Sequence, residues 1–263
     1  MSPVLASAPA GVQPATASRR PHFSRLKDEA DAFREQIHRQ KRELQVDFPW
    51  YPYDTLANFV HIDPLVTAEC DYLFEPRKKI ADIGAADGDM GFYLESFGHE
   101  CHLYDYGPTN MNGLRGAAAL KSALNSTVEI YECDLDSQFT FSAGYDLIFF
   151  LGILYHLKNP FFALERLSSC SRHLLLSTRV ASHFRSGSGD VSDVPAAYLL
   201  GPEESNNDAT NYWIFTEAGL KRLVDRAGWD LIAYRTVGET VRSNPQDNNR
   251  DERAFAILRS RRV

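Results

Sequence analysis

No run of apolar residues in this chain approaches the ~18 that a membrane-spanning helix requires, so no span is expected. Cysteine is scarce. Cys70, Cys101, Cys133 and Cys170 stand far apart and form no C-x-x-C pair. That excludes a zinc ribbon, argues against a disulfide scaffold, and makes reduced thiols in a cytoplasmic protein the expectation. The first residues lack the roughly 7–15-residue apolar core of a secretory signal. His99-Glu100-Cys101-His102 has metal-ligating side chains, but on a strand alternate residues face opposite ways, so they cannot converge and no metal site is expected. Positive charge is also short in the body. Residues 1–46 hold 8 Lys and Arg against 5 Asp and Glu, whereas the remaining 217 hold 20 against 30. Such a body disfavours nucleic-acid partners, whose affinity comes largely from Lys and Arg neutralising phosphates, although a local basic groove stays open. What the chain does have is an ordinary globular share of apolar residues, 44%, and enough length to bury a sizeable core.

Residues 1–22, rich in Ala, Pro and Ser, are expected to be a disordered tail. Residues 23–76 read as an N-terminal helical and aromatic extension, and 77–263 as the main domain. In the extension, Leu26, Ala30, Phe33, Ile37 and Leu44 recur at helical spacings. This narrow stripe would lie on the body or on a partner chain, so a homo-oligomer through the helix is one reading. Phe48-Pro49-Trp50-Tyr51-Pro52-Tyr53 follows, either a lid or a staple on the core. From Lys78 strands and helices alternate. Strands are expected at Lys79–Ile83, Glu100–Tyr106, Val128–Leu135, Tyr145–Leu151 and His173–Val180, with helices at 90–97, 113–124, 161–170 and 216–227. Trp229–Val237 and Ala254–Arg259 have no helical pattern between them and should pair as an antiparallel hairpin. Alternation of this length implies a doubly wound α/β fold on a mostly parallel sheet.

The strongest local signal is Ala81-Asp82-Ile83-Gly84-Ala85-Ala86-Asp87-Gly88, a glycine-containing turn between a strand and a helix. Ligands bind beyond the carboxyl ends of such strands. Asp105 ends the next strand, 21 residues after Gly84, where a carboxylate can accept two ribose hydroxyls. Asp134 ends the third strand, where it can accept an adenine amino group. Tyr106, Leu135 and Leu151 flank these strand ends and complete the expected cofactor set. A dinucleotide motif fits poorly: its register would start two residues late, and Asp82 and Asp87 would face a pyrophosphate. A nucleoside cofactor that is cationic and carries no phosphate suits these acids.

The DIGAADG turn, Asp105, Asp134 and above all Tyr145–Pro160 (YDLIFFLGILYHLKNP) resemble class I S-adenosylmethionine-dependent methyltransferases. LGILYHLKNPFFALERL, the following LLLSTRV and the later DATNYWIFTEAGLKRLVDRAGW are similar to the branch that includes the tRNA wobble-uridine carboxymethyltransferases. The resemblance spans roughly residues 48–260. It implies a seven-stranded, mostly parallel Rossmann-like sheet with an antiparallel last strand, S-adenosylmethionine as cofactor, and methyl transfer. Two departures stand out. Ala86 replaces the common glycine, which requires an unstrained backbone there. The tRNA enzymes hold a carboxylated cofactor with basic and aromatic groups, some upstream of the first strand; Pro64–Glu75 here (PLVTAECDYLFE) has neither Lys nor Arg. Ordinary S-adenosylmethionine is therefore the expected donor.

On the acceptor side, Tyr155 and His156 follow the fourth strand. His156 is a candidate base and Tyr155 a candidate catalytic or acceptor contact, while the alternative for His156 is a backbone hydrogen bond. Arg179, at the end of the fifth strand, would pair an acidic substrate or Asp208. Asn207, Asp208, Asn211 and Trp213 combine hydrogen bonding with a flat apolar face, which suits a polar ring; the alternative is a turn and helix cap with packed aromatics. Leu151-Gly152-Ile153-Leu154 stands where nucleobase-amine methyltransferases carry Asn/Asp-Pro-Pro-Tyr. The expected acceptor is a small or carbohydrate-like molecule. A tRNA wobble uridine is the runner-up, and a non-catalytic cofactor-binding partner module is the rival from another class.

Overall fold

The computed structural model describes residues 22–66, 70–141, 144–185, 187–247 and 249–263. The tail expected over 1–22 lies outside the described residues, apart from His22, where the first helix begins. The elements in chain order are α1 (His22–Glu43), α2 (Phe59–Ile62), β1 (Lys79–Ile83), α3 (Asp89–Ser96), β2 (Glu100–Asp105), α4 (Arg115–Ala123), β3 (Glu129–Glu132), β4 (Tyr145–Leu151), α5 (Pro160–Ser168), β5 (Ser171–Val180), β6 (Ala197–Leu199), β7 (Trp213–Phe215), α6 (Glu217–Arg226), β8 (Trp229–Gly238) and β9 (Glu252–Ser260). No helix among the described residues is long and apolar enough to cross a membrane.

Strands β3, β2, β1, β4 and β5 lie side by side in that order, all parallel. The near-continuous apolar run of the central strand β4 is what burial on both faces demands, whereas the edge strand β3 has no buried residue. Strand β9 then runs antiparallel along β5 from His173↔Arg259 to Val180↔Glu252, and β8 pairs antiparallel with β9. The expected fold class, including the antiparallel last strand, is the one observed.

Three details differ from the expectations. Strand β3 stops at Glu132 rather than Leu135. There the Asp134 carboxylate accepts the Asp136 backbone N–H at 2.9 Å and turns the chain out of the ladder. Two short strands, β6 and β7, were not expected. They pair antiparallel, and β7 joins the end of β5 through Val180↔Phe215. Trp213 therefore begins a strand instead of ending a loop. The third detail is Ala86, whose φ is +54°. The left-handed geometry of a glycine position is retained, contrary to the unstrained backbone that alanine prefers.

The extension shares the core of the main domain. Leu26, Ala30 and Ile37 of α1 are buried in one cluster with Phe59, Phe74, Ile80, Met90 and Tyr93. Phe23 packs on Phe74 with ring centroids 4.6 Å apart, and Phe33 on Tyr93 at 5.0 Å. The stripe that left a partner chain open is thus covered by this chain's own body. The aromatic segment after α1 acts as a staple: Trp50 packs against the same core, and the Tyr51 backbone and hydroxyl both bond to the main domain.

Candidate active site

The chain leaves β1 for β2 and β3 on one side and returns to β4 on the other. This reversal opens a crevice at the carboxyl edge between β1 and β4. The β1–α3 turn lines it. The Gly84 and Ala85 N–H groups both donate to the Tyr104 carbonyl, at 2.8 and 3.2 Å. Gly84 has φ +73°, and a Cβ on it would lie 2.0 Å from Ile153 Cδ1. A side chain there would have to push Ile153 aside and take up a strained positive φ, because the side chain of the turn after β4 rests directly on the turn after β1.

Asp105 ends β2 as expected and organises the neighbouring turns. Its Oδ2 accepts the Ala86 N–H at 2.8 Å and the Asn110 side-chain amide at 3.0 Å, while Oδ1 accepts its own neighbour, the Tyr106 N–H, at 2.7 Å. A carboxylate oxygen has two acceptor sites, so Oδ1 keeps capacity for a ligand hydroxyl. Burial pushes the Asp105 carboxyl upward, opposed by these hydrogen bonds. Asp134 lies two residues past the end of β3, Leu135 is buried beside it, and Leu151 is half-buried at the end of β4. Gly88 opens α3.

Two expected cofactor residues have their side chains elsewhere. The Asp87 carboxylate accepts the Tyr51 N–H at 2.9 Å and the Asn112 amide at 2.8 Å, and it pairs with Lys41 at 3.0 Å. It clamps the extension and is spent before any ligand arrives. Asp82 lies within β1, buried beneath α3, where a Cβ on Gly91 would come within 3.7 Å of its Oδ2. That oxygen is buried without a hydrogen-bond partner. Burial, then the nearby Asp105, raise the Asp82 pKa to about 7. Lys41 also pairs with Asp89 at 3.0 Å.

Across the crevice, Gly152 is the first residue after β4, with φ +77°. A Cβ there would stand 3.4 Å from Arg253 Nη1 and 3.6 Å from the Tyr155 hydroxyl. Three elements, the β4 turn, the Tyr155 ring and the start of β9, thus converge. His156 stacks obliquely on Tyr155, centroids 4.3 Å apart. Its Nδ1 lies 3.0 Å from Thr210 Oγ1 and 3.2 Å from the Thr210 carbonyl. Thr210 Oγ1 donates its proton to Asp208 Oδ1 at 2.6 Å. Both Thr210 oxygens therefore accept from His156, so Nδ1 carries the proton and Nε2 the lone pair. Burial first, and Arg253 further, hold the imidazole below its ordinary pKa, while Asp208 and the Thr210 bond raise it. The expected backbone hydrogen bond of His156 is present on Nδ1, and Nε2 stays free of any hydrogen bond among the described residues.

The remaining acceptor candidates divide. Asp208 is consumed by the Thr210 N–H and hydroxyl, as a turn residue behind His156. Arg179 is buried and pairs with Asp251 and the Ser205 hydroxyl, not with Asp208 and not with the crevice. Asn211 is 5% exposed and donates to the Ser205 carbonyl at 2.9 Å. Trp213 donates Nε1 to the Lys158 carbonyl at 3.3 Å and packs against the second core cluster. Asn207 is exposed, with φ +54°. Thr216, rather than Asn211, caps α6 by accepting the Gly219 N–H at 3.0 Å. Lys41, Asn110, Asn112, Thr210 and Arg253 were missed. The Thr109-Asn110-Met111-Asn112 string, amide-rich just past a strand end, was a usable signal; Arg253 on a late strand offered none.

A family model described as a methyltransferase domain matches residues 59–234, well over half of the chain. The chain belongs to this methyltransferase family. Solved structures share its fold. The N-terminal domain of EvdMO1, determined with SAH and D-fucose, is 18% identical, with 87% of this chain and 97% of that one covered and a TM-score of 0.52. Against longer EvdMO1, the chain spans 47% of that protein's length. An S-adenosylmethionine-dependent methyltransferase from Mesorhizobium loti is 12% identical over 77% of this chain and 97% of that one, TM-score 0.53. The [4+2]-cyclase SpnF is 9% identical over 92% and 97%, TM-score 0.55. That last neighbour is a reminder that this fold hosts more than one chemistry. No curated protein matches the chain at a significant level.

Proposed function

We propose that this methyltransferase acts on a hydroxyl of a small, polar, carbohydrate-like acceptor, with S-adenosylmethionine as donor and His156 as base. The residues at the crevice fit that cofactor. Lys41, the cation tied to the β1–α3 turn, is spent on Asp87 and Asp89. What remains at the strand ends is acidic, Asp105 and Asp134. This suits a sulfonium and an ammonium and would repel a pyrophosphate. Asp105 would accept the ribose hydroxyls, Asp134 the adenine amino group, and the turn Gly84–Gly88 would take the amino-acid end, with Tyr106, Leu135 and Leu151 beside the rings. Bound S-adenosylmethionine supplies a methyl group activated by its positive sulfur.

The chain's own residues do the rest. Positioning an acceptor at the β4 end can supply ~7–11 kcal/mol of the barrier. Tyr155 forms a wall of that place. His156 Nε2 takes the acceptor's hydroxyl proton, while Thr210 and Asp208 hold the ring in the required tautomer. The observation that carries the reading is that division of the imidazole: one nitrogen anchored, the other free beside Tyr155. That the EvdMO1 domain was determined in the presence of D-fucose agrees with a polar-ring acceptor. The test is turnover of labelled S-adenosylmethionine against a panel of sugars and other small polyols. Labelled product with one of them, lost in His156→Gln while S-adenosylhomocysteine still binds, is the expected result. Binding without turnover against any acceptor would favour the non-catalytic module instead.

The tRNA wobble-uridine reading keeps one supporting observation. Its cofactor carboxylate needs a cation, and although residues 64–75 provide none, Arg253 stands over Tyr155. Direct comparison of affinities for the ordinary and carboxylated cofactors separates the two readings, and a preference for the ordinary form is expected.

A further inference from the structure

Three arginines share one face of the sheet near its carboxyl edge in a chain of net charge −7. Arg179 on β5 is the ladder partner of Arg253 on β9. On β8, Arg235 pairs with Phe255 and Val237 with Arg253, which makes Arg235 and Arg253 diagonal neighbours on that same face. His61 closes the group, its ring 5.1 Å from Phe255. Like charges directly opposite on adjacent strands cost stability. One member is neutralised, since Asp251 pairs with Arg179. The other acid at this corner, Glu252, projects to the opposite face and accepts the Ser243 hydroxyl. Among the described residues no carboxylate lies within ion-pair distance of Arg253 or Arg235. Arg253 is half-buried, so its guanidinium is partly stripped of water without an anion to compensate. What it lies beside is Tyr155 and Gly152: its Cζ is 5.7 Å from the Tyr155 ring centroid, and its Nη1 is 3.4 Å from where a Cβ on Gly152 would stand.

We propose that Arg253, beside the Tyr155 hydroxyl and the bare backbone of Gly152, is an oxyanion subsite that binds a carboxylate or phosphate group of the methyl acceptor. The inference rests on the proposed function and narrows its acceptor from polar to anionic. Geometry favours it in three ways. A guanidinium offers a planar fork of donors that matches such a group in two parallel hydrogen bonds. The Tyr155 hydroxyl adds a donor near the same point. Gly152 leaves the space that any side chain would fill. Arg235 and His61 stand behind Arg253; Arg235 adds positive potential without an acid of its own, and burial, then Arg235 and Arg253, keep His61 below its ordinary pKa.

The test uses the full chain and simple probes. S-adenosylhomocysteine is titrated first, by calorimetry, into wild type, Arg253→Gln and Arg253→Lys. With it saturating and ionic strength held constant, acetate, inorganic phosphate, D-glucuronate and D-glucose 6-phosphate are then titrated, with D-glucose as the neutral control. The expected result is that at least one anion binds wild type more tightly than glucose does, that Arg253→Gln weakens it about tenfold or more, and that Arg253→Lys keeps part of the affinity. Tighter glucuronate or tighter phosphates tell a carboxylate acceptor from a phosphorylated one. Equal anion affinity in wild type and Arg253→Gln overturns the proposal. So does a loss that falls on a carboxylated cofactor and leaves every anion probe unchanged. If Arg253→Gln is unfolded by circular dichroism, the comparison of Arg253→Lys with wild type decides, and unaltered anion binding there together with no anion preference in wild type counts against the subsite. Failure of S-adenosylhomocysteine to bind at all would instead strike the cofactor reading, and anion preference measured without it would still judge Arg253.

Discussion

The turns after β1, β2 and β3 and those around β4, β5 and β9 share one sheet edge but treat their charges differently. On the first side nearly every carboxylate is tied down by this chain: Asp87 to Lys41, Tyr51 and Asn112, Asp105 to Ala86 and Asn110, Asp134 to Asp136. On the second side Arg179 is tied to Asp251, but among the described residues Arg253 has no acid and His156 keeps one nitrogen free. The first half is cross-tied by its own charges into a preorganised cradle. The second half leaves a cation without a counter-ion and an imidazole nitrogen without a hydrogen bond. On the proposed reading the first half serves the cofactor and the second the acceptor, a separation that suits a fold reused for many acceptors.

The sharpest way to break the comparison is to untie the cradle. Lys41 is the cation shared by two buried carboxylates, with side-chain exposures of 10%, 1% and 11% for Lys41, Asp87 and Asp89. Lys41→Met keeps the stem and removes the charge. Leaving buried charge uncompensated costs about 3–5 kcal/mol. Urea denaturation at pH 8 should show that loss. The loss should shrink as pH falls toward the carboxylate range, because burial raises the Asp89 carboxyl and eases its uptake of a proton. A loss under about 1 kcal/mol at pH 8 would mean the clamp is peripheral.

The loop before α6 tests the other half. Asn211 is buried and Trp213 is half-buried against the second core cluster, so alanine at either should destabilise, by roughly 2 kcal/mol for Trp213, before it affects acceptor affinity. Normal melting with selectively lost turnover would return both to the acceptor site.

Asp105→Ala should weaken cofactor binding at least tenfold by calorimetry, since charged hydrogen bonds are worth ~1.5–3 kcal/mol each. Unchanged affinity in a folded variant would remove the assignment. Asp82 gives a pH signature. Its folded pKa of about 7 lies above its unfolded value, so the native state holds a proton that the unfolded chain has lost between about pH 4 and 7. Its burden on stability is therefore absent near pH 4, grows as pH rises, and is complete above 7. Asp82→Asn should stabilise most at pH 8 and not at pH 4, each tenfold difference in proton affinity between the folded and unfolded chain being worth ~1.4 kcal/mol. A gap independent of pH would show that Asp82 is ionised throughout.

Much of this was legible beforehand, for identifiable reasons. The bounds of β1 and β4 follow from apolar runs punctuated by Gly84 and Gly152, and Asp105 from its distance past the glycine turn. What failed depended on partners remote in sequence. Arg179 finds Asp251 72 residues away, and Asp87 finds Tyr51 36 residues away. No local pattern reports that a charge is already spent. Strands β6 and β7 escaped because three residues each cannot display a period, and β7 joins the main sheet through one pairing.

The smallest expected effect concerns Ala86, within the cradle itself. Its φ of +54° places an L-residue where Cβ crowds the following carbonyl, a cost of roughly 1–2 kcal/mol. Glycine removes that cost but loosens the unfolded chain by ~0.4–1 kcal/mol. The difference favours Ala86→Gly by about 0.5–1 kcal/mol, a small rise in Tm. The bonds at this residue are backbone ones: its N–H to Asp105 at 2.8 Å and its carbonyl to Asn110 at 3.4 Å. Both survive the substitution, so cofactor affinity should stay within a factor of two. If Ala86→Gly instead melts earlier and binds S-adenosylhomocysteine more weakly, the methyl group is packing the turn rather than straining it. The cradle would then owe its rigidity to that contact, and the contrast with the looser acceptor half would rest on packing instead of on paired charge.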